Sequence, residues 1–231
     1  MHLRNIFLLT LFVSLTLSQE QLGSDIDGEA ANDRSGNSVS LNADGDRVAI
    51  GAYLNDGNGS SNSGHVRVYE YSGGSWSQLG SDIDGEAAGD DFSGFSVSLN
   101  SDGDRVAIGA IYNDGTGGDA GHVRIYEYSG GSWSQLGSDI DSEAAGDRSG
   151  YSVSLNSDGD RVAIGATYND GSFSDAGHVR VFSWNGSSWT QLGSDIDGEA
   201  EEDNFGRRVS MNSNGDRLAV GAIYNLSLIH I

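Results

Sequence analysis

The sequence has 231 residues with 34 acidic and 12 basic side chains, which gives a formal net charge of −22 at pH 7. It contains no cysteine and no proline, so disulfide bonds and thiolate metal sites are excluded. Because the negative charge repels phosphates, we predict that nucleic acid is not a partner. The same charge permits cation binding.

The first segment, residues 1–18, is predicted to be a secretory signal peptide. His2 and Arg4 precede the apolar run Ile6–Val13, and small residues lead to Ser18. The run is too short for a comfortable membrane span. We therefore expect a secreted, extracellular protein whose mature part is not inserted in a membrane.

The rest of the chain is built from a repeated unit. The phrase Gln-Leu-Gly-Ser-Asp-Ile-Asp begins at Gln21, Gln78, Gln135 and Gln191, so its copies start 57, 57 and 56 residues apart. A period of this length is typical of solenoids, propellers and other repeat arrays. Residues 19–24 are similar to the last strand of a unit, and we expect them to serve as an outer strand.

Four short strands are predicted in each unit, joined by turns that are rich in Asp, Asn and Gly. Alternating or continuous apolar residues mark the strands, and no stretch has helical periodicity. In the second unit the predicted strands are Ser96–Leu99, Arg105–Ala110, His122–Tyr128 and Trp133–Leu136.

The predicted fold is an all-β propeller of four-stranded antiparallel blades, present as an incomplete arc of about three and a half blades. A β-helix is the second choice, because it would need shorter and more uniform coils. The predicted propeller region is 19–225, with blades at about 36–83, 93–140, 149–196 and 205–225.

The unit resembles the FG-GAP repeat of the integrin-α N-terminal type of propeller. Phe205-Gly206 matches the first element of that pattern, and Gly109-Ala110 is one of four Gly-Ala endings, all of which lack the final Pro. The family's calcium loop lies between the first two strands. The aligned stretch Ser98–Arg105 is shorter and lacks two of its acidic residues, so a tight hairpin explains it without metal.

Two acidic loops between the predicted blades are candidate calcium sites, since calcium takes six to eight oxygen ligands. Polar connecting loops with Asx turns are the simpler interpretation. The candidate ligands are Asp82, Asp84, Glu86 and Asp90 in one loop, and Asp139, Asp141, Glu143 and Asp147 in the next.

The loop after each second strand is a candidate ligand face, because binding residues often lie on loops. Its polar pairs are Asn55 and Asp56, Asn113 and Asp114, and Asn169 and Asp170. His65, His122 and His178 recur once per unit at radially separated positions. We expect them to have a structural role at the start of a strand rather than to converge on one metal.

The predicted function is a non-enzymatic binding or adhesion module for an extracellular protein or glycan. Every candidate group is copied from unit to unit, whereas catalysis needs one asymmetric constellation. The alternatives are the propeller portion of a larger secreted enzyme and a purely structural scaffold. The repeat pattern breaks after Asn225, and we interpret residues 226–231 as a sequencing-adapter artefact.

Overall fold

The computed structural model describes residues 20–56, 61–86 and 91–225. The predicted signal peptide, residues 226–231 and Asp90 lie outside these ranges. All regular elements in the described ranges are β-strands, which form three five-stranded sheets and one two-stranded sheet. None of the described segments forms a helix with the length and hydrophobicity needed to cross a membrane.

The first sheet establishes the plan of a blade. The first four strands pair antiparallel in chain order. The fourth strand pairs with the end of the third, and the short fifth strand pairs with the start of the third. The outer strand is thus split in two, where the sequence predicts one fourth strand followed by a loop. The strands are β1 (Ser38–Leu41), β2 (Arg47–Ala52), β3 (His65–Ser72), β4 (Ser75–Gln78) and β5 (Ile83–Asp84).

The next two sheets repeat this plan, and the last contains only the two inner strands of a blade. The fold prediction is confirmed: the described chain is a partial β-propeller. The strands of the second blade are β6 (Ser93–Leu99), β7 (Arg105–Ala110), β8 (His122–Ser129), β9 (Ser132–Gln135) and β10 (Ile140–Asp141). Those of the third and fourth blades are β11 (Ser149–Leu155), β12 (Arg161–Ala166), β13 (His178–Trp184), β14 (Trp189–Gln191), β15 (Ile196–Asp197), β16 (Phe205–Met211) and β17 (Leu218–Ala222).

A side-chain amide closes the tight turn between the first two strands of each blade. In the second blade, Asn100 Oδ1 accepts hydrogen bonds from the backbone N–H groups of Asp104 (3.1 Å) and Arg105 (2.9 Å). Asn100 Nδ2 donates to Asp104 Oδ1 at 2.7 Å. The turn that aligns with the family's calcium loop is therefore held by an amide, in agreement with the interpretation of Ser98–Arg105 as a hairpin.

Neighbouring blades pack through apolar faces. Leu99, Val106 and Ile108 of the second blade are buried against Val66 and Val68 of the first. Burial of this kind supplies the main favourable free energy of a sheet stack. The blades therefore hold one another in place, and each interface uses the same positions of the repeat.

The backbones also approach closely at each blade interface. A Cβ on Gly109 would lie 2.2 Å from the Gly150 carbonyl oxygen of the next blade, and one on Gly165 would lie 2.0 Å from that of Gly206. No side chain fits there without moving the blades apart. The Gly of each Gly-Ala ending is thus explained by close packing.

The N-terminal segment has the position of an outer strand. Trp76 Nε1 donates a hydrogen bond to the Leu22 carbonyl oxygen at 2.9 Å, just as Trp133 Nε1 donates to that of Leu79. Leu22 thus accepts a hydrogen bond from the first blade in the same way that Leu79 accepts one from the second. Beside it, Leu41 is 60% exposed, whereas its equivalent Leu99 is 7% exposed. The outward apolar face of the first blade is therefore uncovered.

Candidate functional site

The candidate site residues lie at one end of the blades. At this end the first strand begins, the second strand ends and the third begins, as the pairing of Ser93 with Ala110 and of Ala110 with His122 shows. We call it the loop end. The opposite end, which carries the Asn-closed turns, we call the turn end.

The first acidic loop does not form one cluster. Asp82 lies beside His65 and Glu29, whereas Glu86 lies beside His122 and Asp139. The structure thus places two predicted ligands of one calcium site in two different groups. Asp84 belongs to β5, and its carbonyl oxygen accepts a hydrogen bond from Arg124 at 3.1 Å, so it helps to anchor the outer strand.

The second acidic loop is divided in the same way. Asp139 faces Glu86, and Glu143 groups with His178 and with Asp195, which the sequence analysis did not select. Asp141 lies in β10 and its carbonyl oxygen accepts from an arginine at 2.7 Å. Burial and the nearby Asp139 carboxylate raise the pKa of Asp141.

Asp147 is part of the folded loop. It is 2% exposed, and its Oδ2 accepts hydrogen bonds from Ser142 Oγ (2.8 Å), the Ala144 N–H (3.0 Å) and Asn169 Nδ2 (3.1 Å). A carboxylate oxygen that accepts three hydrogen bonds from the protein is already occupied within the fold, which indicates a structural role. The geometry thus gives Asp147 a role in holding two loops together.

The equivalent of Asp147 in the second blade is Asp91 rather than the predicted Asp90. The Asp91 carbonyl oxygen accepts from the Tyr112 N–H, as that of Asp147 accepts from the Tyr168 N–H. Asp91 is 3% exposed. Because two aspartates stand side by side in this unit, the sequence does not show which of them corresponds to Asp147. The backbone hydrogen bond to Tyr112 identifies Asp91.

Three groups of one histidine and two carboxylates repeat at the loop end. In each, one donor atom from every member lies within 4.8 Å of the others. The histidine is buried, the glutamate is exposed and the aspartate is intermediate. Such donor sets could hold a metal ion. The groups are Glu29, His65 and Asp82; Glu86, His122 and Asp139; and Glu143, His178 and Asp195. We call them the Glu–His–Asp triads.

Burial shifts the pKa values of His122, His178 and Glu86. It lowers the pKa of His122 to about 4, assisted by the Arg124 guanidinium and opposed by Asp139. It also lowers the pKa of His178. In Glu86, burial raises the pKa of the carboxyl group against the effect of Arg124. The imidazoles of His122 and His178 are therefore neutral at neutral pH and carry a lone pair.

The Asn-Asp pairs of the candidate ligand loops have unequal roles. Asn55 and Asn169 are buried, and the amide of Asn55 donates to Asp33 Oδ2 at 2.8 Å, as that of Asn169 does to Asp147. Asp114 Oδ1 accepts from a backbone N–H at 2.9 Å and Asp170 Oδ1 does so at 2.8 Å.

The remaining members of these loops follow the same plan. Asn113 is buried like the other two asparagines, and Asp56 Oδ1 accepts from the Asn62 N–H at 3.0 Å. The asparagine amides are therefore occupied within the fold, and the exposed aspartates shape the loop.

A half-buried strip of aromatic and arginine side chains crosses the blades at the loop end. Arg148 lies between two rings, with its Cζ 4.8 Å from the centroid of Tyr112 and 4.5 Å from that of Tyr168. Ring–ring contacts of 4.8 to 6.5 Å connect the others. We call this strip the aromatic–arginine ladder: Tyr53, Phe92, Phe95, Tyr112, Arg148, Tyr151, Tyr168 and Arg207.

Two members of the ladder have left-handed backbone conformations. Phe92 has φ 58° and Arg148 has φ 54°, which is costly for residues with bulky side chains. The equivalent Arg34 and Asn204 share this geometry. The left-handed conformation thus recurs before the first strand of each blade, where Phe92 and Arg148 are half-buried and Asn204 is buried.

The ladder has no repeated signature in the sequence, because different residues take the same position in different units. At the position of Phe92 the other units have Arg34, Arg148 and Asn204, so no motif repeats. A usable signal is the aromatic or arginine residue directly before a repeated Ser-Gly step, as at Arg34, Phe92 and Arg148, in a chain with only 12 basic residues. The variable positions of a repeat, rather than its constant ones, carry this surface.

The fold and these surfaces define a β-propeller protein whose loop end carries the Glu–His–Asp triads and the aromatic–arginine ladder. Residues 25–69 match the FG-GAP repeat family, and this match confirms the resemblance drawn from the sequence. This match covers β1, β2 and the first part of β3. No curated protein matches the sequence significantly.

Solved structures share the fold at low sequence identity. A candidate 6-phosphogluconolactonase from Bacteroides uniformis ATCC 8492 has a TM-score of 0.53 at 12% identity, covering 79% of this chain and 46% of its own. Kuenenia stuttgartiensis hydrazine synthase has a TM-score of 0.50 at 15% identity, covering 80% and 49%. The complex of KlAtg21 with the coiled coil of AgAtg16 gives 0.55 at 11%, covering 80% and 49%. The chain thus spans about half the length of these structures.

Proposed function

We propose that this protein is a secreted, non-enzymatic binding or adhesion module that recognises an extracellular protein or glycan at its loop end. The observation that carries this proposal is the aromatic–arginine ladder, in which Arg148 lies within 5 Å of the ring centroids of Tyr112 and Tyr168. Rings of this kind offer large contact area at low entropic cost, and arginine adds directed hydrogen bonds to carboxylates.

The charge distribution supports the same surface. The chain has a net charge of −22, yet Arg148 and Arg207 both stack on rings at the loop end. Stacking orders these side chains before a ligand arrives, which lowers the entropic cost of binding. The ladder crosses from the first blade to the fourth, so it suits an extended ligand better than a small molecule in a pocket.

The repeat itself supplies conservative variants that test this role. The unit has Asn204 where the third blade has Arg148, and Leu54 where it has Tyr168, so Arg148→Asn and Tyr168→Leu place residues that the fold already accepts. Asp102→Asn at the turn end is the matched control, because the fourth blade has Asn214 there.

The experiment is a binding screen of the untagged full chain against glycans and extracellular proteins, followed by affinity measurement on the best ligand. We expect Arg148→Asn and Tyr168→Leu each to weaken binding about tenfold or more, as is usual for central anchors of an interface. Asp102→Asn should bind like the wild type. Equal affinities for all four proteins would contradict the proposal.

A further inference from the structure

Each Glu–His–Asp triad connects two parts of the propeller that are distant in sequence. Glu86 belongs to the connection that leaves the first blade, His122 begins the third strand of the second blade, and Asp139 follows the outer strand β9. A bond among the three would therefore tie the connection between blades to the outer part of the next blade. The same arrangement occurs at three successive positions.

The distances from the histidine Nδ1 to the nearest carboxylate oxygen are too long for hydrogen bonds and are close to those between atoms that share a cation. The nearest carboxylate oxygen to the histidine Nδ1 lies at 3.7 Å in the triads of His65 and His122 and at 3.9 Å in that of His178. Nitrogen–oxygen hydrogen bonds fall at about 2.7–3.2 Å. Two donor atoms that each lie about 2.1 Å from one tetrahedral ion are about 3.4 Å apart.

His178 adds an independent observation. It is 1% exposed, and its Nε2 has no hydrogen-bond partner within the part of the chain that the structure describes. Its Nδ1 points at Glu143 Oε2 without reaching hydrogen-bonding distance. Buried polar groups are almost always satisfied. A cation beside Nδ1 and the two carboxylates would engage the nitrogen that faces the site, whereas Nε2 lies on the other side of the ring and is not explained by that cation.

The charge of the triads also favours a dication. Each has two carboxylates and one adjacent arginine, whose Nη1 lies 3.7 Å from Glu86 in the case of Arg124 and 3.8 Å from Glu143 in the case of Arg180. With a neutral imidazole the local charge is about −1. The arginine compensates only one carboxylate, and its contact with the glutamate is too long for a hydrogen bond.

We propose that each Glu–His–Asp triad binds a divalent transition-metal ion of the zinc class, which ties each connection between blades to the outer strands of the next blade. Imidazole nitrogen suits zinc-class ions, whereas calcium requires oxygen ligands only. Three protein ligands leave a fourth position of a tetrahedral site for water. This site differs from the predicted calcium loops, since it takes Asp82 and Glu86 into separate triads.

The proposal is tested on the untagged full chain after removal of metals with a chelator. Titration with zinc chloride, followed by calorimetry, should give about three ions per chain and raise the thermal midpoint. Cobalt substitution should give visible absorption bands of a tetrahedral nitrogen–oxygen site. Calcium chloride should neither shift the midpoint nor displace zinc. Binding of calcium as tightly as zinc would overturn the assignment of the metal class.

The variants Glu86→Gln and Asp139→Asn test the ligands without disturbing the core, because neither residue is buried. Each should reduce the stoichiometry from three ions to two. The control Asp102→Asn removes one acidic charge from the same blade at the turn end and should leave three. Absence of zinc binding, or a stoichiometry that Glu86→Gln and Asp139→Asn leave unchanged, would overturn the proposal.

Discussion

The indole Nε1 of Trp133 donates a hydrogen bond of 2.7 Å to the carbonyl oxygen of Leu79, and so joins the outer strand of one blade to the next blade. Trp76 makes the same bond to Leu22, in a more exposed setting. The recurring tryptophan thus links neighbouring blades by a hydrogen bond at their outer edge.

The first prediction concerns this bond. Trp133→Phe removes the donor and part of the packing, and should lower the free energy of unfolding by about 1–2 kcal/mol. Trp76→Phe should cost less, because water can replace its exposed bond. Urea denaturation followed by circular dichroism measures both. A loss for Trp76→Phe as large as that for Trp133→Phe would mean that the blade contact is not the cause.

A second prediction concerns the close approach of the blades. Gly109→Ala places a Cβ 2.2 Å from the Gly150 carbonyl oxygen and should destabilise the protein by about 1–3 kcal/mol or more. Gly221→Ala is the matched control at the same repeat position, where the nearest atoms lie 3.8 Å away. It should change stability little. Equal effects in thermal melts would contradict this account of the Gly-Ala endings.

The third prediction concerns the turn that takes the place of the family's calcium loop. Asn100→Asp keeps the oxygen acceptor but sets a carboxylate against Asp104 Oδ1, where the amide now donates at 2.7 Å. We expect a loss of about 1–2 kcal/mol at pH 7 that diminishes below about pH 4, as the carboxylates become protonated. Asn212→Asp, in the exposed last hairpin, should cost less. A loss that is independent of pH would point to a steric cause.

The fourth prediction is a pH dependence of the metal-free protein. The pKa of His122 is lowered to about 4 in the folded state, so between pH 6.5 and 4 the unfolded chain binds more protons than the folded one. The free energy of unfolding should therefore decrease as the pH falls through this range, on the order of 3 kcal/mol for this residue.

The variant His122→Gln isolates that effect. Denaturation midpoints between pH 7 and 4.5, measured with chelator present, should fall less steeply for the variant than for the wild type. The lowered pKa of His178 contributes in the same direction and is common to both proteins. Identical slopes would show that His122 does not titrate as described.

Much of the fold could be predicted from the sequence because the repeat presents each signal several times. Alternation in His122–Tyr128 and the turn at Asp102-Gly103 are local signals, and the structure has strands and a turn there. The split outer strand could not be predicted, since Ile140–Asp141 is only two residues long and is defined by its partner β8.

The site was harder to predict, because spacing along the chain does not show which loop faces which strand. Asp82 and Glu86 lie close together in sequence, yet Asp82 faces His65 of its own blade and Glu86 faces His122 of the next blade. The ladder was missed for the opposite reason. Its residues differ between units, as Tyr168 and Leu54 do at one position, so no repeated motif marks them.

The central claim is that a ligand binds to the aromatic–arginine ladder, and hydroxyl-radical footprinting of the protein with its best ligand tests it most directly. Bound ligand should protect Tyr112, Tyr151 and Tyr168 from oxidation while leaving Tyr71 and Tyr128, near the ends of the third strands, as reactive as in the free protein. Unchanged reactivity of the three ladder tyrosines, or protection confined to Tyr71 and Tyr128, would contradict the account.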